Sequence, residues 1–119
     1  MSCLLAGAAM IALSGGSFSL HWTHSVERIE WREEWSVTQD DLTLTRAAVK
    51  GSGAGMEPGP DARREDGWWV WQPDLPPQPE LLLAASGATV LGWKLCSGGR
   101  CAEIGAEPGA PIRLRPCPP

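Results

Sequence analysis

Side chains able to bind a metal or transfer a proton concentrate between positions 21 and 30 of this 119-residue chain. Four of them recur every three residues, as one face of a helical metal site would require: His21, His24, Glu27 and Glu30. On a strand this set divides, because His21 and Glu27 share one face and His24 points to the other. A metal site would need a strand end or bulge near Ser25, so we expect no metal. The alternative role for Thr23 and His24 is hydrogen bonding within the turn that follows this strand.

Nucleophilic catalysis is the second chemistry that this segment suggests. Neighbouring strand residues face opposite ways, so the His24 imidazole could not take the Ser25 proton without distortion. A Gly-x-Ser-x-Gly elbow is also missing, since the residue two places before Ser52 is Lys50. We therefore expect no catalytic residues and no enzymatic activity.

The glycine-rich run after Lys50 is the third candidate. It is not a P-loop, because the lysine precedes the glycines and no Gly-Lys-Ser or Gly-Lys-Thr ends it. Gly53 and Gly55 tolerate positive φ, so successive backbone N–H groups could point at one anion while Lys50 adds charge. The alternative is a wide turn between sheets, with Met56 filling part of the core.

Alternating apolar and polar residues predict the elements that position these side chains. Residues 3–13 read as a hairpin around Gly7-Ala8, rather than as a signal peptide. Strands are predicted for 18–27 and 29–37, although a helix over 27–35 is an alternative for the second. The segments predicted further along are a turn at 38–41, a long loop over 50–64 that ends at the Asp66-Gly67 turn, and strands at 42–49, 68–72, 80–85, 90–96 and 112–115.

Two segments between these strands admit more than one role. Trp68-Trp69-Val70-Trp71 would place rings on both faces of a strand, which favours a ligand-stacking surface or a partner-facing ring. The proline-rich stretch Pro73–Pro79 is predicted to be extended, either as a docking segment or as a rigid connection between two sheets.

Composition limits the fold to one small domain spanning residues 1–119. Fourteen glycines and eleven prolines disfavour long helices and favour short strands joined by tight turns. We predict an all-β fold, a small antiparallel β-sandwich or open barrel of about eight short strands. Nucleic-acid binding is excluded, because the net charge is −4 and no basic stripe is visible.

Four cysteines leave three pairings open, as well as free thiols or a metal site. Cys96 and Cys101 flank a Ser-Gly-Gly-Arg turn that would bring their strands face to face. Cys3 and Cys117 lie near the two ends of the chain and could join them. Disulfides would indicate an oxidising compartment.

Two motifs in sequence order identify a family resemblance. They are Phe18-Ser19-Leu20 followed by Trp22–Glu27, and then Lys50–Pro58; Asp66–Trp69 and Leu95-Cys96 also fit. Over nearly its whole length the chain resembles the domain of unknown function 1850 family (DUF1850). The resemblance implies association with TAXI-type TRAP transporters, which import organic acids with an extracytoplasmic solute-binding protein, and it implies no established enzymatic activity. Relatives often carry an N-terminal membrane anchor.

From this resemblance we expect a non-enzymatic accessory or partner-binding module of a TRAP-type organic-acid uptake transporter. Its expected partners are the transporter's membrane subunit or solute-binding protein, with membrane contact only through a partner and no cofactor. The expected location is the periplasm or cell envelope, with the cytoplasm as the alternative. A competing hypothesis is an independent binding domain for a small carboxylate or metal.

Either function would use one polar site, formed where the glycine loop packs beside the turn that follows the strand over 18–27. The residues expected to bind the ligand or partner there are Thr23, His24, Ser25, Glu27, Lys50, Gly53, Gly55 and Met56.

Overall fold

The computed structural model describes residues 3–23, 30–38, 40–50, 62–83, 92–105 and 109–118. These residues contain strands and turns, and the all-β prediction is confirmed. The strands are β1 (Cys3–Ala6), β2 (Ala9–Ala12), β3 (Ser17–Thr23), β4 (Glu30–Val37), β5 (Leu42–Lys50), β6 (Arg63–Glu65), β7 (Trp68–Trp71), β8 (Leu81–Leu83), β9 (Trp93–Ser97), β10 (Arg100–Ile104) and β11 (Ile112–Pro116).

Two antiparallel sheets make up the fold. The larger has seven strands in the order β10-β9-β3-β4-β5-β7-β6, and the smaller has four in the order β2-β1-β11-β8. They do not close into a barrel, so the sandwich-like alternative of the prediction is the one confirmed. The proline-rich stretch after β7 runs from the larger sheet to the smaller, and Leu42 and Gln78 exchange backbone hydrogen bonds of 2.7 and 2.8 Å that hold it against β5.

The core lies between the facing sides of the two sheets. Period-two alternation puts Leu4 and Leu114 of the smaller sheet and Leu20 and Leu95 of the larger sheet on these sides, and each is at most 2% exposed. The remaining buried members of this cluster are Ala6, Leu13, Phe18, Trp35, Leu42, Leu44, Leu83 and Ile104. At roughly 25 cal/mol per Å² of apolar surface, this contact is the main favourable term in folding.

Tight turns account for the strands that alternation alone did not delimit. Asp66 and Gly67 both have positive φ, at 50° and 87°, as a two-residue type I′ hairpin requires. This turn pairs Glu65 with Trp68, so the predicted long loop over 50–64 is wrong at its end, where Arg63 and Arg64 belong to β6. Gly98 and Gly99 make an equivalent turn between β9 and β10, with φ of 58° and 83°.

Cross-links outside the apolar core join the strands further. Cys3 is bonded to Cys117, and Cys96 is bonded to Cys101, which lies directly opposite it across the β9–β10 hairpin. Buried Ser97 accepts a hydrogen bond of 3.0 Å from the Ser14 N–H through its Oγ, and its hydroxyl donates to the Ser17 carbonyl at 2.8 Å. The chain segment between the two sheets is thereby fixed to the end of β9.

A β-bulge divides β5 into two phases. Trp35 pairs with Leu44, but Glu34 pairs with Arg46, so Thr45 is the extra residue. Its hydroxyl donates a 3.0 Å hydrogen bond to the Glu34 carbonyl. Before the bulge, Leu42 and Leu44 face the core. Beyond it, Ala47 and Val49 do so, and Arg46 faces outward.

Candidate functional site

The outer face of the seven-stranded sheet carries an open cleft of about 560 Å³. Alternation places it on the side away from the core, across strands β10, β9, β3, β4 and β7. Its lining residues are His21, Trp22, Thr23, Glu30, Trp31, Arg32, Trp68, Gly92, Lys94, Cys101, Ala102 and Glu103. This volume lies within the roughly 300–1,000 Å³ typical of small-ligand pockets.

His21 lies near the middle of the cleft. It pairs across one strand boundary with Arg32 and across the other with Lys94, so three nitrogen-bearing side chains form a row on adjacent strands. Burial lowers the pKa of His21, and the positive charges of Arg32 and Lys94 lower it further. The imidazole is therefore neutral near pH 7, and its Nε2 is hydrogen-bonded to Ser19 Oγ at 2.8 Å.

The two cations beside His21 have no ion-pair partner among the described residues. In the described part of the chain, neither Arg32 nor Lys94 forms an ion pair, although Glu103 lies directly opposite Lys94 in the strand register. Further along the same face, Arg46 reaches both Glu34, at 3.6 Å, and Glu65, at 3.2 Å. Charge neutralisation is thus available on this face, but not at the cleft.

One end of the cleft is bounded by a tryptophan and a lysine. Trp68 is half-buried and faces outward, and the Lys50 Nζ lies 5.9 Å from its ring centroid in a cation–π arrangement. Glu30 pairs with Thr23 at the same end of the sheet. This end therefore offers an aromatic face, a hydroxyl and a carboxylate together.

Four tryptophans pack together on the opposite face of the same strands, and two of them, Trp22 and Trp31, also contribute to the lining of the cleft. Trp22 stacks on Trp31 with ring centroids 5.8 Å apart and planes 6° apart, and Trp93 lies 4.7 Å from Trp22. Trp71 meets Trp31 edge-on at 6.4 Å. Such pairs each add about 0.5–1.5 kcal/mol beyond the area they bury, which rigidifies the strands that hold His21 and Arg32.

The sequence model of the family described as Domain of unknown function (DUF1850) matches residues 18–104. The chain belongs to this family. The matched region contains every strand of the larger sheet together with β8, whereas β1, β2 and β11 lie outside it. Neither the curated proteins nor the solved structures include a match to this chain.

Only two members of the expected binding site in this DUF1850 chain can be placed. Thr23 ends β3 and lines the cleft, and Lys50 ends β5, one residue beyond Val49, which pairs with Trp31. The fold thus brings both to the same end and outer face of the larger sheet. The other members lie outside the described residues: His24, Ser25, Glu27, Gly53, Gly55 and Met56.

Sequence reasoning missed most of the side chains that shape the cleft. Ser19, Arg32, Lys94 and Glu103 were assigned no role, because each becomes significant only through its partner on a neighbouring strand. Ser19 and His21 had a local signal: residues two apart on a strand share a face. The same alternation, applied to the positions from 19 to 21, places this pair on one face.

The described residues bear on two kinds of chemistry at the cleft, metal binding and acid–base catalysis. They contain no group of three or more His, Cys, Asp or Glu side chains arranged to hold a metal ion. The Ser19–His21 pair lies between two cations, which weaken the imidazole as a base, and no carboxylate of a described residue is hydrogen-bonded to the ring. No helix suited to crossing a membrane occurs among the described residues.

Proposed function

We propose that this DUF1850 chain is a non-enzymatic accessory module of a TAXI-type TRAP organic-acid transporter, and that its cleft binds the carboxylate of a small ligand. One observation carries the binding proposal: two cations that have no ion-pair partner among the described residues lie on the strands either side of a neutral histidine in an open cleft. Arg32 and Lys94 would supply charge-assisted hydrogen bonds, about twice as strong as neutral ones. Neutral His21 and the Thr23 hydroxyl would orient the carboxylate.

Family membership supports the transporter association, since the DUF1850 resemblance implies a module that accompanies TAXI-type TRAP transporters. The two disulfides support a location in the periplasm or cell envelope, because disulfides persist in oxidising compartments. The proposed partners are the solute-binding protein and the membrane subunit, and the module would reach the membrane only through them.

A deletion and complementation experiment tests the transporter role. Removing the gene should reduce uptake of the transporter's radiolabelled organic acid, and the wild-type gene should restore it. Arg32→Gln/Lys94→Gln should restore expression but not uptake, whereas the matched pair Arg63→Gln/Arg64→Gln, on an edge strand away from the cleft, should restore both. Unchanged uptake in the deletion strain, together with no co-purification of a transporter subunit, would reject the transporter role.

The second candidate function is an independent small-carboxylate-binding domain. It is favoured by the volume of the cleft, about 560 Å³, which suits a small ligand. Calorimetry with organic acids on the purified chain separates the two: saturable binding that Arg32→Gln weakens at least tenfold, with uptake unaffected by gene deletion, selects the independent domain. Absence of binding to every acid tested rejects the cleft as a carboxylate site.

A further inference from the structure

Among the described residues, the cleft is lined by carboxylates as well as cations without ion-pair partners. Glu30 and Glu103 line it together with Arg32 and Lys94, so the formal charges of the lining side chains are two negative and two positive, with His21 neutral and with Lys50 outside the lining, beside Trp68. A site that recognised only a carboxylate would be weakened by two acids at its edge, because like charges disfavour binding. The charge content instead matches a ligand that carries both signs.

We propose that the cleft binds a zwitterion of the α-amino-acid class, with its carboxylate over His21 between Lys94 and Arg32 and its ammonium at Glu30. This inference rests on the proposed carboxylate site and specifies what else the ligand carries. Adjacent antiparallel strands lie about 4.8 Å apart, so long lysine and arginine side chains on either side of His21 can converge above it. The carboxylate and the ammonium of an α-amino acid are bonded to the same carbon. A protein carboxylate that binds the ammonium must therefore lie close to the site where the ligand's carboxylate is bound.

Glu30 is the carboxylate that meets this requirement. It lies two residues from Arg32 on the same outward face of β4, and its partner across the strand boundary is Thr23, next to His21 on that face. Glu30 and Glu34 are the two acids whose charges act on the His21 pKa, and both raise it. Glu34 is bound to Arg46 at 3.6 Å, whereas Glu30 has no ion-pair partner in the described part of the chain.

Matched ligands test the inference on the full-length, disulfide-bonded chain without any mutation. Each of the twenty common L-amino acids is titrated by calorimetry, followed by two analogues of every one that binds. One analogue has hydrogen in place of the ammonium and the other lacks the carboxylate; for phenylalanine they are 3-phenylpropionate and 2-phenylethylamine. We expect at least one amino acid to bind tenfold or more tightly than both of its analogues.

Variants locate the ammonium site. Glu30→Gln should remove the preference for the amino acid and leave the affinity for its deaminated analogue within about twofold. Arg32→Gln should weaken both ligands. Asp74→Asn, which removes an exposed acid that lies outside both sheets and does not line the cleft, is the matched control and should change neither affinity.

The outcomes separate this inference from the function on which it depends. Equal affinity for an amino acid and its deaminated analogue, or carboxylate binding with no amino-acid binding, overturns the zwitterion proposal and keeps the carboxylate site. A preference unaltered by Glu30→Gln also overturns the assignment. Failure of every amino acid and every carboxylate to bind overturns both proposals.

Discussion

The two sheets bury similar leucines on their facing sides and differ on their outer sides. The outer side of the larger sheet carries an open cleft, with charges of both signs that have no ion-pair partner among the described residues. The smaller sheet has Met10 and Leu82, 70% and 65% exposed, as outward residues, and Arg113 beside Leu82 is paired with Glu80 at 2.6 Å. The charged cleft therefore belongs to the larger sheet, while the smaller sheet completes the core.

The family match follows the same division. It begins at Phe18 in β3 and ends at Ile104 in β10, so all seven strands of the larger sheet lie inside it. Three of the four strands of the smaller sheet lie outside it. What this chain shares with its family is thus the sheet that carries the cleft.

The two disulfides provide the largest expected contrast between the sheets. Cys3–Cys117 spans 114 residues and Cys96–Cys101 spans 5. Loop-closure entropy predicts a loss of about 5 kcal/mol in unfolding free energy for Cys3→Ser/Cys117→Ser and about 2 kcal/mol for Cys96→Ser/Cys101→Ser. Urea denaturation of both variants measures this difference. An equal loss in both would contradict the dependence of the stabilisation on loop length.

Truncating a core leucine should lower the unfolding free energy by less than removing the Cys3–Cys117 disulfide does. The loss should be the same in the two sheets. Leu114→Ala and Leu20→Ala each remove a side chain that is 0% exposed, so each should lower the unfolding free energy by about 3 kcal/mol. Leu82→Ala, on the outer side of the smaller sheet, should change it by less than about 0.5 kcal/mol. Chemical denaturation checks all three. A large loss at Leu82 would place that side chain in a buried contact.

Glu33 tests the inner side of the larger sheet through pH. It pairs with Leu20, and burial raises its pKa, partly offset by a hydrogen bond of 3.2 Å from Trp35 Nε1 to its Oε1. The folded state disfavours the Glu33 carboxylate relative to the neutral carboxyl. The stability that the neutral carboxyl contributes is therefore present below the unfolded pKa and is lost as pH rises through the folded pKa. Glu33→Gln should therefore stabilise the protein at pH 7 and not at pH 3.5, as thermal unfolding at both values would show.

His21, on the outer side, should give the smaller effect and the opposite slope. Its pKa is lowered chiefly by burial, so the folded state disfavours the charged ring. Its contribution is present above the unfolded pKa, near 6.5, and is lost as pH falls through the folded pKa. His21→Asn should flatten the stability profile below about pH 6.5 while leaving the region above it unchanged. A profile identical to that of the wild type would contradict the burial of this ring.

Local sequence signals were sufficient for much of the fold and little of the site. Alternation and glycine turns located the hairpin around Gly7 and the strand over 42–49. They failed for β6, whose Arg63–Glu65 segment has no apolar alternation and forms only because Trp68 and Val70 pair with it. The cleft depends on cross-strand neighbours such as His21 with Lys94, which are more than 70 positions apart, so no local pattern indicates it.

The bulge at Thr45 has a consequence for how this sequence can vary over evolution. Substitution there should be tolerated, since the side chain is exposed and its one hydrogen bond is to a backbone carbonyl. Loss of the residue should also leave the strand's two faces unchanged, because Leu44 and Arg46 would then be adjacent in a regular ladder, with Leu44 and Val49 inward and Arg46 outward as before. At this position, natural selection should therefore leave both residue identity and the presence of the extra residue free.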